Sequence, residues 1–179
     1  MQQEAELAIF GGGCFWCTEA VFKMLSGVIA VTPGYAGGTK DKPTYAAVSS
    51  GKTGHAEVVR VEYDPSKISY ADLLTVFFAT HDPTALNRQG ADVGTQYRSI
   101  IFYTSAAQKQ EAEQFINELN AVSSKGKPIV TEIKPLEHFF EAEEYHKNFY
   151  ERNTESPYCQ FVIDPKLEKV RKNFAKLIK

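Results

Sequence analysis

A chain of 179 residues, 43% hydrophobic and 23% charged, fits one compact domain over 1–179 rather than a disordered segment, and can bury roughly two-thirds of its unfolded surface without staples. Twenty Lys and Arg against 22 Asp and Glu leave a net charge of −2, which provides no basic excess for nucleic acid, and no apolar run approaches the ~18 residues that span a bilayer. No signal-peptide apolar region follows the polar start, so a cytoplasmic monomer is expected; the three cysteines (Cys14, Cys17, Cys159) are too few for a disulfide framework.

In chain order, residues 5–10 read as a strand running into Gly11-Gly12-Gly13, and residues 18–25 as a helix opened by Cys-Phe-Trp-Cys. Residues 28–31 suggest a strand, residues 33–38 a Pro/Gly turn, and residues 44–48 a short helix. The β-branched content of Ala56–Tyr63 predicts a strand. Ser69, with Asp72 three residues on, predicts a capped helix to about residue 80. The polar stretch 81–96 reads as a long functional loop. Residues 97–103 read as a strand, 105–119 as a helix capped by Ser105, 129–133 as a strand before Pro135, and 143–152 as a helix. Leu167, Val170, Phe174 and Leu177 mark one apolar face of a C-terminal helix. Alternating strands and helices argue for a mixed sheet with helices packed on it.

The densest chemical signal is Gly11 to Cys17, where glycines lead a strand into a helix start. Unpaired N–H groups and the positive dipole end of a helix favour a thiolate, so Cys14 is expected to have a depressed pKa. Phe15 and Trp16, the latter the only tryptophan, adjoin it. Buried core cysteines are the plain alternative. Zinc needs four ligands; Cys-x-x-Cys supplies two, and His55, His81, His138 and His146 have no matching spacing. A dithiol is a further reading, since cysteines three apart in a first helical turn lie about 5–6 Å apart, within disulfide reach. The thioredoxin-type motif is matched in spacing only, because the strand comes too early and no Gly-Pro separates the cysteines.

Strand alternation puts Glu57 on one face with Val59, Val61 and Tyr63, opposite Arg60 and Glu62. A carboxyl group at the end of an apolar row has a raised pKa and can act as a general acid; at a frayed strand start it would simply face water. Tyr45 and Tyr97 sit where loops meet regular elements, placed either to donate to a developing anion or to pack.

Gly-Cys-Phe-Trp-Cys at 13–17, Tyr-Ala-Gly-Gly at 35–38, Pro-Thr-Tyr at 43–45, Gly-His-Ala-Glu at 54–57, His-Asp-Pro-Thr at 81–84 and Gln-Gly-Ala-Asp-Val-Gly-Thr-Gln-Tyr-Arg-Ser at 89–99 together resemble peptide methionine sulfoxide reductase of the A type. The likeness runs from about residue 6 to residue 165. It implies an α+β fold, a two-layer α/β sandwich with a mixed sheet and a ferredoxin-like core. It implies Cys14 as nucleophile, Glu57 as proton donor, Tyr45, Tyr97 and Asp92 as groups that hydrogen-bond the sulfoxide oxygen directly or through water, and Phe15 and Trp16 as walls for the substrate methyl group. The substrate would be the S epimer of methionine sulfoxide, in proteins or free. Cys14 would become a sulfenic acid and then a disulfide that thioredoxin reduces, with no metal or organic cofactor. Many members carry Gly where this chain has Cys17. Cys159, in an expected mobile loop of Ser-Pro-Tyr-Cys-Gln, matches the family's C-terminal resolving position and is expected to resolve first, with Cys17 competing or relaying.

Overall fold

The computed structural model describes residues 3–123 and 126–179. A six-stranded sheet has the order β7-β6-β1-β3-β2-β8, built from β1 (Glu6–Gly11), β2 (Val28–Ala36), β3 (Ala56–Tyr63), β6 (Ile100–Tyr103), β7 (Glu132–Pro135) and β8 (Phe139–Glu141). β6 and β7 run parallel and all other neighbours antiparallel, so the sheet is mixed as expected. A small hairpin of β4 (Arg88–Gln89) and β5 (Asp92–Val93) stands apart.

The period-2 pattern sorts side chains into two clusters. Ala8, Phe10, Val59, Val61, Tyr63 and Ile101 join the main core. Ile9, Ala56, Val58, Ile100 and Phe102 form a smaller cluster across the sheet. The main core takes the apolar faces of α1 (Phe15–Lys23), α3 (Tyr70–Ala79), α4 (Ala106–Val122) and α6 (Asp164–Asn173). Helix starts follow the capping signals. Ser69 accepts from Asp72 N and Asp72 from Ser69 N, a complete capping box, while Ser105 accepts from Gln108 N. Thr44 caps the short α2 (Tyr45–Ser49) by accepting from Ala47 N.

Departures from the sequence reading have local causes. Residues 33–36 continue β2 instead of turning, because they pair with both β3 and β8. Gly34 makes the second pairing feasible: a Cβ there would fall 2.5 Å from the Phe140 carbonyl oxygen and closer still to the Phe139 ring. The strand expected at 129–133 lies at Glu132–Pro135, in parallel register with β6, and Val130 N donates to Pro83 O instead. Pro135 is tolerated as the last residue of an edge strand. Tyr97 closes a 3-10 turn (Thr95–Tyr97) ahead of β6 rather than opening the strand. The helix expected over 143–152 is broken into a 3-10 turn (Glu144–His146) and α5 (Phe149–Arg152) by Asn148, at φ 55° with its N–H donating to Glu19. Cys159 lies not in an open loop but in a π-helical turn (Cys159–Ile163) that runs directly into α6, and it is fully buried. Leu167 and Val170 are buried on α6, whereas Phe174 caps its end and Leu177 lies beyond it. Among the described residues no helix is long and apolar enough to cross a membrane.

Candidate active site

Gly13 adopts φ 100°, a conformation L side chains rarely take, and a Cβ there would meet the Gln89 side chain at 2.9 Å. The chain then turns into Cys14, the extended N-cap of α1, whose carbonyl oxygen accepts from Cys17 N at 3.1 Å. Two of the first amide groups of α1 act on the site. Phe15 N donates to Glu57 Oε1 at 3.2 Å, and the Trp16 N–H reaches the Cys14 sulfur.

Glu57 lies on the main-core face of β3, opposite Tyr35 of β2, and is 1% exposed. Burial pushes its carboxyl up to about 8 from an ordinary 4.5; the Phe15 N–H opposes the rise, and Asp92 and Cys17 add to it. Oε1 is occupied by the Phe15 N–H, and Oε2 is buried with no partner among the described residues. A proton on Glu57 therefore belongs on Oε2.

The expected depression of the Cys14 pKa is not what the structure shows. Burial, a hydrogen bond with Cys17 and the Glu57 charge push the thiol well above its usual range, and the Trp16 N–H offsets them only in part. The helix start does favour the thiolate, but desolvation outweighs it. Cys17 receives the complementary shift. Its hydrogen bond with Cys14, against burial and with help from Lys166 and Tyr158, brings it down to about 7. The two thiols therefore titrate as a pair, with the Cys14 thiol raised and the Cys17 thiol lowered.

Tyr45 and Tyr97 both feel the Glu57 and Cys14 charges; burial first, and then Glu57, raises both hydroxyl pKa values, so each is a donor at neutral pH. The 81–96 segment carries Asp92, in its hairpin, and leads into the turn that ends at Tyr97. Asp92 Oδ2 accepts from the Tyr158 hydroxyl at 2.9 Å, and that hydroxyl lies 3.5 Å from Cys17 Sγ. Phe15 is fully buried, against Tyr35 and His146. Trp16 is partly buried, stacked on Phe149 at 3.7 Å between centroids and met edge-on by Tyr158. Cys14, Phe15, Trp16, Cys17, Glu57, Tyr45, Tyr97 and Asp92 therefore come together. Cys159 is a free, buried cysteine of the same core, and Tyr158 beside it touches the group.

The sequence reading missed Glu143 and Tyr158. Glu143 accepts from Tyr45 N at 3.0 Å and from the Tyr35 hydroxyl at 2.9 Å. Burial alone would raise its carboxyl, but the Tyr45 and Glu143 N–H groups and the Tyr35 hydroxyl hold it below the usual range. No local spacing links residues 35, 45 and 143; only the pairing of β8 with β2 does. Tyr158 was visible only as the neighbour of Cys159. A separate cavity of about 220 Å³, lined by His55, Arg98, Phe102, Glu132 and His138, lies on the side of the smaller cluster and holds no thiol.

Taken together, the site offers a buried thiol, a second ionisable thiol, an uncharged carboxylic acid and phenol donors in a desolvated setting. That set can attack an electrophilic atom and protonate the oxygen it carries. A family model described as peptide methionine sulfoxide reductase matches residues 6–178. A peptide methionine sulfoxide reductase MsrA of Haloquadratum walsbyi is 59% identical over 170 residues, covering 95% of this chain and 97% of the relative. Among solved structures, the reduced form of Mxr1 from Saccharomyces cerevisiae superposes with a TM-score of 0.79 at 35% identity, over 87% of this chain and 90% of that one. Mxr1 in complex with Trx2 aligns with a TM-score of 0.57 at 27% identity, over 80% of this chain and 84% of that one.

Proposed function

Because the chain belongs to the peptide methionine sulfoxide reductase family, we propose that it uses Cys14 to take the oxygen from methionine sulfoxide while Glu57 supplies the proton that the departing oxygen needs. The enzyme is a thiol-dependent oxidoreductase. The observation that carries the residue roles is the Phe15 N–H to Glu57 Oε1 bond, which ties the acid to the residue next to the nucleophile and leaves Oε2 for the proton.

Cys14 sulfur attacks the sulfoxide sulfur and loses its proton, for which the Cys17 sulfur is the adjacent acceptor. As the S–O bond order falls, charge grows on oxygen; the Glu57 proton and the Tyr45 and Tyr97 hydroxyls meet it in a site where such contacts count for more than in water. Asp92, through Tyr158, steadies the side facing Cys17. Net, one oxygen atom moves to Cys14: a thiol becomes a sulfenic acid and the sulfoxide becomes methionine. The proton lost by Cys14 passes by way of the Cys17 sulfur to the Glu57 carboxylate, so that Glu57 ends the step protonated. A second thiol then displaces water to form a disulfide, and a dithiol, thioredoxin, returns both cysteines to thiols by exchange. The complex of the yeast relative with Trx2 supports that reductant. Each step balances without metal or organic cofactor.

Cys17 hydrogen-bonds Cys14, whereas Cys159 is fully buried in its π-helical turn, so this reading takes Cys17 as the first resolving thiol. Cys159 enters as a relay once residues 154–163 unwind. Trp16 and Phe15 form the apolar wall for the substrate methyl group. The S epimer, peptide-bound or free, is the substrate, and the setting is a cytoplasmic monomer. The β1-α1-β2-β3-α3-β6 connectivity with order β6-β1-β3-β2, and main-core helices on one face, support a ferredoxin-like core in a two-layer sandwich.

The test uses separated epimers of a methionine sulfoxide peptide. The S epimer is expected to be consumed and the R epimer left, with Cys14→Ser inactive and Cys17→Ser forming one methionine per protein. Activity in Cys14→Ser would overturn the assignment.

A further inference from the structure

Cys17 is buried, and charged or titratable groups face it from every element packed round it. Cys14, at the start of its own helix, shares a hydrogen bond with it. Tyr158 lies 3.5 Å from its sulfur, with Asp92 behind that hydroxyl, and the Glu57 carboxyl acts from β3. His81, which follows α3, and Lys166, on α6, line a small crevice with Cys17. The crevice has about 10 Å³ of room, no more than one water needs. Charges that meet across so little solvent are poorly screened.

Among these groups Lys166 brings the positive charge. The His81 ring is neutral: Nδ1 donates to the Phe77 carbonyl at 2.6 Å, Nε2 accepts from the Ser99 hydroxyl at 2.7 Å, and burial holds its pKa down to about 4. Lys166 stands in the first turn of α6, where a cation opposes the helix dipole. It is half-buried and makes no ion pair among the described residues. Its helix therefore gains nothing from the charge, whereas a thiolate across the crevice would. Lys166 also borders an open groove of about 500 Å³ with Pro165 and Thr80, so solvent on that side spares the ammonium group the cost of full burial.

We propose that Lys166 is a positioning residue whose ammonium group holds Cys17 as a thiolate once Cys14 has been oxidised, and so sets the rate at which Cys17 closes the disulfide. The inference rests on the reading of Cys17 as the first resolving thiol. Before oxidation the Cys14 thiol does most to favour the Cys17 anion, with Lys166 next among the groups that do so. Sulfenic acid formation consumes that thiol, and the cation remains. The Cys17 thiolate then attacks the Cys14 sulfur, the S–O bond breaks, and the departing hydroxide takes the Glu57 proton and leaves as water.

Two measurements test this, each in proteins with Lys, Met or Arg at position 166. In Cys14→Ser, Cys159→Ser protein, alkylation of Cys17 by iodoacetamide is followed against pH. Lys166→Met, which keeps an apolar stem and loses the charge, is expected to move the midpoint up by about one pH unit, and Lys166→Arg to restore it. In Cys159→Ser protein, closure of the Cys14–Cys17 disulfide is timed after one turnover with the S-sulfoxide peptide. Lys166→Met is expected to slow closure about fivefold at pH 7 and not at pH 10, where Cys17 ionises unaided. An unmoved midpoint, an Arg variant no better than Met, or a slowing that persists at pH 10 would each overturn the proposal; the last marks a merely structural role. Failure of the underlying reading is distinct: Cys159→Ser protein with Lys166 intact would form methionine once but no Cys14–Cys17 disulfide, whatever the alkylation midpoints.

Discussion

Glu57 is the residue whose place was most legible in the sequence. Strand alternation alone set it on the face of Val59, Val61 and Tyr63, and those four residues do share the main-core side. The state of Cys14 was not legible. A helix start can be read from glycines and spacing, but the desolvation that lifts the thiol comes from strands and aromatic rings distant in the chain. The Glu57 shift has a definite consequence for stability. Its folded pKa lies above the unfolded one, so its stabilising contribution is intact below pH 4.5 and is lost as pH rises toward about 8, where the unfolded chain ionises and the folded one does not. The full linkage is on the order of 5 kcal/mol. Glu57→Gln is therefore expected to raise stability at pH 8 by about 2 kcal/mol or more, measured by urea denaturation, while it slows sulfenic acid formation at unchanged substrate binding. Lower stability in the Gln variant at pH 8 would contradict the buried, proton-bearing Glu57.

At the level of elements, capping chemistry proved a sound guide and turn chemistry did not. Ser69 and Asp72 form the box that their spacing announced, and Ser69→Ala is expected to cost about 1 kcal/mol in thermal or urea unfolding. Pro33-Gly34 reads locally as a turn, yet two partner strands hold it extended. Such pairing is a long-range fact that a window of neighbours does not contain. Gly34→Ala should lower stability by about 2 kcal/mol or more, because β8 must move off β2, and it should also loosen Tyr45 through Glu143. A neutral effect would mean that β8 is not seated as described. The π-helical turn at Cys159 is the opposite case, where a Ser-Pro-Tyr-Cys stretch expected to be open runs into a wound turn with Cys159 fully buried. If release of that turn limits the relay, alkylation of Cys159 in the resting protein should be much slower than that of Cys17; equal rates would argue for an open loop.

Across the whole molecule, the site is assembled from a strand-to-helix junction, the middle strand β3, the 81–97 segment, and the return of the chain after β8. The first three announced themselves through unusual residues in short motifs. The last did not, because Glu143 and Tyr158 are ordinary in their local context and join the site only by where β8 and the α6 approach bring them. The central claim is that an uncharged Glu57 protonates oxygen while Cys14 sulfur takes it. It is tested most directly in protein carrying Cys17→Ser and Cys159→Ser, by trapping and locating the sulfenic acid after one turnover as a function of pH. The account predicts one trapped group per molecule, at Cys14, forming progressively more slowly as pH rises past about 8, with that decline absent in Glu57→Gln. A sulfenic acid at another position, or the same high-pH decline with glutamine at position 57, would contradict it.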